Sequence, residues 1–121
     1  MKKFIEIASA ISEHGEHRHK LGAVIFRKNE IITTGFNKMK SHPLQLKYNN
    51  NEHKIFLHAE IDAIIKAKGR TEGNSIIVVR KMSLGEFGTS KPCAACLQAI
   101  IASGIKRVTF FEEGEFRTIR L

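Results

Sequence analysis

Two short clusters hold residue types that could do chemistry together: His58-Ala59-Glu60 and Pro92-Cys93-Ala94-Ala95-Cys96. One imidazole and two thiolates make three zinc ligands and leave a fourth position for water. That is the pattern of a catalytic site, whereas a structural site is closed by a fourth side chain. Two thiolates also neutralise the ion's formal charge, so activating the water calls for a base. Glu60, two residues from His58, is the candidate. The chain has only two cysteines, Cys93 and Cys96. A two-residue gap points to metal or redox chemistry before a structural disulfide. A redox pair is the alternative reading of the cysteines. Half of a zinc ribbon is worse supported, because no second pair exists.

These residues must be positioned by the elements around them. Phe4, Ile5, Ala8 and Ile11 recur at helical spacing, so the first dozen residues predict an amphipathic helix. The runs 22–26 and 31–36 are β-branched and apolar, and the polar 27–30 between them predicts a hairpin. A helix is expected from Leu57 to Lys68, a strand at Ile76–Val79 and a helix from Cys93 to Ala102. A strand at Val108–Phe111 follows, and Phe116–Ile119 reads as a last one. Alternating helix and strand in the second half predicts a crossover unit with parallel strands, and so a mixed sheet with helices on its faces. Residues 38–56 and 81–91 lack periodicity and are expected to be irregular; long loops of that kind usually carry function or disorder. His58 and Cys93 each open a helix. Helix N-termini offer free N–H groups and partial positive charge, which favour thiolates and hydroxide. Pro92 suits a first helical turn.

In this order, with Pro92 directly before Cys93, the clusters spell H-x-E followed by P-C-x-x-C, the signature of zinc nucleobase deaminases. At these residues the chain resembles the cytidine and deoxycytidylate deaminase superfamily, over most of its length. Gly22–Ile25 with Thr34–Asn37 resembles the family's first hairpin, and residues 58–64 and 92–96 its two zinc motifs. Gly104–Val108 resembles its entry to the fourth strand. The resemblance implies one α/β domain over 1–121, a three-layer α/β/α fold with a mixed five-stranded sheet flanked by helices. It also implies zinc held by His58, Cys93 and Cys96, with Glu60 moving protons from the attacking water to ring N3 and then to departing ammonia. Asn37 matches the family asparagine that binds the sugar hydroxyl, with a strand-end turn as its bland alternative. The backbone of Ala59 would meet the pyrimidine edge. Assembly as a homo-oligomer is implied as well.

Which relative the chain most resembles follows from the departures. Tetrameric deaminases of free cytidine generally use cysteine where this chain has His58. The tRNA adenosine deaminases resemble Glu-Pro-Cys-x-Met-Cys where this chain has Lys91 and Ala95. The pattern sits nearest small, phage-like deoxycytidylate deaminases, although Asp62 and Lys91 depart from them too. The expected reaction is dCMP to dUMP; deamination of free (deoxy)cytidine or of cytosine in single-stranded nucleic acid is the alternative.

Composition fits a phosphorylated substrate. The 121 residues carry 20 Lys and Arg against 12 Asp and Glu, a net +8 with a pI near 9.8. Such a field favours phosphate-bearing partners, small nucleotides or nucleic acid, without bearing on fold. Nucleic acid ranks second, because interleaved aromatics are few: one Tyr and no Trp. Lys38, Lys40, His42, Lys47, His53 and Lys54 face a single acid, Glu52, in the loop leading to His58, so Lys38 and Lys40 are candidate phosphate contacts. Lys91 is another, beside Cys93. A solvated basic loop is the plain alternative for these lysines. His14, His17 and His19 read as an exposed loop rather than a second metal site. Phe87 reads as a stacking residue or a small apolar anchor. No apolar run suits a membrane span, and Glu6 and Ser9 break the stretch after the N-terminal lysines, so a cytoplasmic protein is expected.

Overall fold

The computed structural model describes residues 1–48 and 56–121. Its elements run α1 (Lys2–Ser12), β1 (Leu21–Arg27), β2 (Glu30–Phe36), α2 (Pro43–Tyr48), α3 (Ala59–Ala67), β3 (Ser75–Lys81), β4 (Phe87–Gly88), α4 (Ala94–Ala102), β5 (Arg107–Glu112) and β6 (Glu115–Arg120). The sheet order is β2-β1-β3-β5-β6, with β4 paired beside the end of β3. The expected five strands are therefore present and a two-residue sixth joins them. Pairing is antiparallel except between β3 and β5, the parallel pair spanned by the α4 crossover. No helix among the described residues is long and apolar enough to cross a membrane.

The apolar strands are covered on both faces, and successive side chains alternate between them. Val24, Phe26, Ile77 and Val79 meet Phe4 and Ala8 of α1. Their neighbours Ala23, Ile25, Ile76 and Val78 meet Ala59, Ala63 and Ala67 of α3 and Ile100 of α4 on the opposite face. That alternation makes the three layers.

Two regions expected to be irregular hold short elements. Within 38–56 the chain forms α2, whose Leu44 and Tyr48 pack on Leu57, Ile61, Cys96 and Ala99. A six-residue helix that depends on tertiary packing leaves little periodicity to read. Within 81–91 lies β4, where Phe87 packs against Phe111 and Phe116 at centroid distances of 5.7 and 5.1 Å, the anchor rather than the stacking residue.

α3 sits close against β2. Phe36 N–H donates to Asp62 Oδ2 at 3.2 Å, and Thr33 Oγ1 donates to the Ala63 carbonyl at 2.9 Å. Asp62 is buried and also pairs with Lys38 at 2.9 Å and Lys66 at 3.0 Å. Gly35 permits this approach, since a Cβ there would lie 2.5 Å from both Ala59 O and Ala63 N. Gly35→Ala should therefore push α3 outward and cost about 1–3 kcal/mol, as overpacking usually does. Thermal denaturation checks it, and an unchanged midpoint would refute this account of the packing.

Candidate metal centre and cleft

α3 and α4 both begin at the same end of the molecule, and the potential ligands sit at those starts. His58 is the residue capping α3, with φ −78° and ψ 153°, and Cys93 caps α4 with φ −68° and ψ 168°. α3 thus starts two residues later than expected and α4 one residue later, and Pro92 precedes the cap instead of occupying the first turn. Neither cap uses its side chain on the helix, which leaves imidazole and thiol directed elsewhere. The His58 N–H is taken by Gln45 Oε1 of α2 at 3.0 Å. Ser90 secures the approach to Cys93: its hydroxyl donates to the Val78 carbonyl at 2.7 Å and accepts from Phe111 N–H at 2.8 Å.

The donor atoms of His58, Cys93 and Cys96 all lie within 4.8 Å of one another, and no other such group of His, Cys, Asp or Glu occurs among the described residues. His58 Nδ1 is 3.1 Å from Cys96 Sγ and 3.7 Å from Cys93 Sγ. Tetrahedral zinc with ordinary Zn–N and Zn–S bonds places such atoms roughly 3.6 Å apart. The donor set fits zinc. Its charges are also suited to a cation. Hydrogen bonds from Cys96 and then His58 hold the Cys93 thiol down to about 3, while Cys96 is pushed up by its bond to Cys93 and by burial. Cysteine binds a metal as thiolate, so metal binding at this pair is coupled to loss of thiol protons.

A cleft of about 410 Å³ opens over this cluster. His58, Cys93, Glu60, Ala59, Asn37 and Lys91 line it, so the structure brings together six of the nine residues singled out in the sequence. Cys96 lies buried beneath. Glu60 is 3% exposed. Burial raises its carboxyl above the usual range, offset in part by its own backbone N–H and by His58. Asn37 Oδ1 accepts from Leu21 N–H at 3.0 Å and its amide donates to the His19 carbonyl at 2.6 Å. An amide has two donors and two lone pairs, so one of each remains. Lys91 stays half-exposed and makes a loose 3.8 Å ion pair with Glu112.

The other basic candidates lie elsewhere. Lys38 is occupied by Asp62, with its ammonium 4.8 Å from the Phe36 ring centre. Lys40 is exposed and does not line the cleft, and Lys47 lies over Tyr48. Glu52, His53 and Lys54 fall outside the described residues. Three cleft residues escaped the sequence reading. His17 and His19, expected in an exposed loop, line the wall, and Phe56 joins them with its ring 5.4 Å from that of His17. His14 instead meets Phe36. His19 remains exposed at its ring; Arg80 foremost, then burial, Arg18 and His17, lowers its pKa. Histidines in an aperiodic loop carry no signal of where the loop folds.

Residues 1–112 match the family model described as the cytidine and deoxycytidylate deaminase zinc-binding region. An uncharacterized deaminase of Aliivibrio fischeri is 32% identical over 119 residues, covering 94% of this chain and 74% of that protein. A tRNA-specific adenosine deaminase of Buchnera aphidicola is 32% identical over 110 residues; the alignment covers 91% of this chain but only 62% of that enzyme. Among solved structures, a cytidine deaminase from Burkholderia pseudomallei superposes with a TM-score of 0.70 at 23% identity, covering 98% of this chain and 91% of that one. The dCMP deaminase of cyanophage S-TIM5 gives 0.63 at 23% identity, covering 88% and 78%.

Cys96→Ser should lose bound zinc and lower the thermal midpoint, because a metal held only by the folded chain stabilises it. Metal analysis of the purified variant together with its melting curve is the check; full zinc occupancy would refute the donor assignment.

Proposed function

The chain belongs to the cytidine and deoxycytidylate deaminase family, whose chemistry is hydrolytic deamination, and on that premise we propose that it converts dCMP to dUMP with release of ammonia. One observation carries this reading: a buried carboxylate, Glu60, lines the same cleft as His58 and Cys93. A purely structural metal site has no use for a base there. A bound zinc supplies Lewis-acid activation of water.

The chain's own residues do the rest. Glu60 takes a proton from the attacking water and passes it to ring N3 as the C4–O bond forms. It then takes the proton of the new C4 hydroxyl and gives it to the amino nitrogen as the C4–N bond breaks and the C4 carbonyl forms, so water is consumed and ammonia leaves. Its raised pKa suits a group that must both hold and yield a proton. The Ala59 backbone meets the pyrimidine edge, Asn37 offers its remaining donor and acceptor to the sugar hydroxyl, and Lys91 adds positive charge at the wall. The cyanophage dCMP deaminase, whose structure in complex with dCMP and dUMP shares this fold, supports the choice of a monophosphate. A homo-oligomer in the cytoplasm belongs to the same reading.

A second reading, deamination of adenine in RNA, is favoured by the 32% identity to the tRNA adenosine deaminase. Lys91 and Ala95 weigh against it, standing where such enzymes carry glutamate and methionine.

Ammonia release from the zinc-loaded protein should be seen with dCMP, in a panel with dCTP, deoxycytidine, cytosine, single-stranded DNA and adenosine-bearing RNA. Silence on every cytosine substrate would sink the proposal, and activity on RNA adenine alone would install the second reading. Glu60→Gln should retain zinc yet turn over at least about 10²-fold more slowly. Full activity in that variant would remove Glu60 from the mechanism.

A further inference from the structure

A second cavity, of about 710 Å³, adjoins the cleft and shares His19 with it. Arg18, Lys20, Arg80 and Lys81 line it against a single acid, Glu13. Glu13 is taken by Lys81 at 3.4 Å. Among the described residues no carboxylate lies within 4.0 Å of Arg18, Lys20 or Arg80. Arg80 stands on the well-paired end of β3, opposite Leu21 of β1 and Gly88 of β4. Its Nη2 lies 2.7 Å from His19 Nδ1, which brings the guanidinium to the boundary between the two cavities.

We propose that this second cavity is the phosphate subsite of the substrate, so that a cytosine held in the cleft sends its phosphate past His19 to Arg80, Arg18 and Lys20. The inference rests on the reading that a pyrimidine occupies the cleft. Guanidinium groups match phosphate with parallel hydrogen bonds, and three cations without carboxylate partners have their charge to spare. The cavity is larger than the 410 Å³ cleft, which leaves room for more than one phosphate. A free nucleotide and a nucleic-acid strand present the same group. The site moves phosphate recognition from the loop before His58 to the loop before β1 and the end of β3.

The test compares kcat/KM for dCMP and for deoxycytidine. In Arg18→Ala/Arg80→Ala the dCMP-to-deoxycytidine ratio should fall at least about 10-fold, the worth of one charge-assisted hydrogen bond. Lys106→Ala/Arg107→Ala removes equal charge outside the cavity and should hold the ratio within about 2-fold, since exposed distant charges are screened. A single-stranded oligodeoxynucleotide with one cytosine runs alongside. A loss confined to it names a strand as the source of the phosphate, and a loss on dCMP names the nucleotide. Unchanged ratios for both substrates, or an equal fall in the control, overturn the subsite. Titrating dUMP and deoxyuridine into the zinc-loaded protein reads the same contrast without turnover. A protein that deaminates nothing yet loses dUMP affinity selectively in the double variant keeps the subsite and loses the reaction; equal affinities for the two ligands in the starting protein overturn the subsite. If the Arg80 change does not fold, Arg18→Ala alone, in an exposed loop, carries the comparison.

Discussion

Three donor atoms must meet within 4.8 Å although 35 residues of chain separate His58 from Cys93, and the architecture serves that meeting. Coordination chemistry sets the tolerance: a few tenths of an ångström decide whether one ion can touch all three. The parallel β3–β5 pair supplies the means. α3 leads into β3 and α4 crosses from β3 to β5, so both helices begin at the strands' carboxyl edge, where open α/β sheets bind their ligands. Gln45 and Ser90 then fix the backbone on either side.

Behind the donors lies a polar arrangement that anchors α3. Asp62 is buried in the helix's first turn, accepts the Phe36 N–H and pairs with two lysines, while both ammonium groups flank the Phe36 ring at 4.8 and 5.1 Å. A buried carboxylate so surrounded costs little of its desolvation penalty, whereas the same group unpaired would be expensive. Glu60, two residues earlier, is also buried, and there burial outweighs its backbone N–H and His58 and raises its proton affinity. Neighbouring acids on one turn thus differ in their surroundings, one tying the helix down through ion pairs and the other lining the cleft.

Much of this was readable from residue order. The strands announced themselves because runs such as Ile76–Val79 are apolar on both faces, and the metal ligands because few chemistries need histidine, glutamate and two spaced cysteines. Residue type alone did not say where the lone lysines and histidines would fall. Lys38 has the look of a loop cation until the chain folds Asp62 beside it, and His19, though still exposed, joins the cleft wall only once Asn37 ties its loop through Leu21 and the His19 carbonyl. Gln45 is silent in sequence, because its task is to receive one N–H from a residue 13 positions away. Contacts of this kind depend on loop geometry, which leaves no period.

The sheet ends in β6, and that margin bears on how the molecule behaves in company. Bare strand edges recruit further strands, and charge along them is the usual deterrent. β6 carries Glu115, Arg117 and Arg120, with Arg117 held between Glu113 at 3.1 Å and Glu115 at 3.3 Å. A like chain laid along this border would have to strip water from those ions, so fibrillar stacking from the carboxyl-terminal side is discouraged by the same residues that finish the fold.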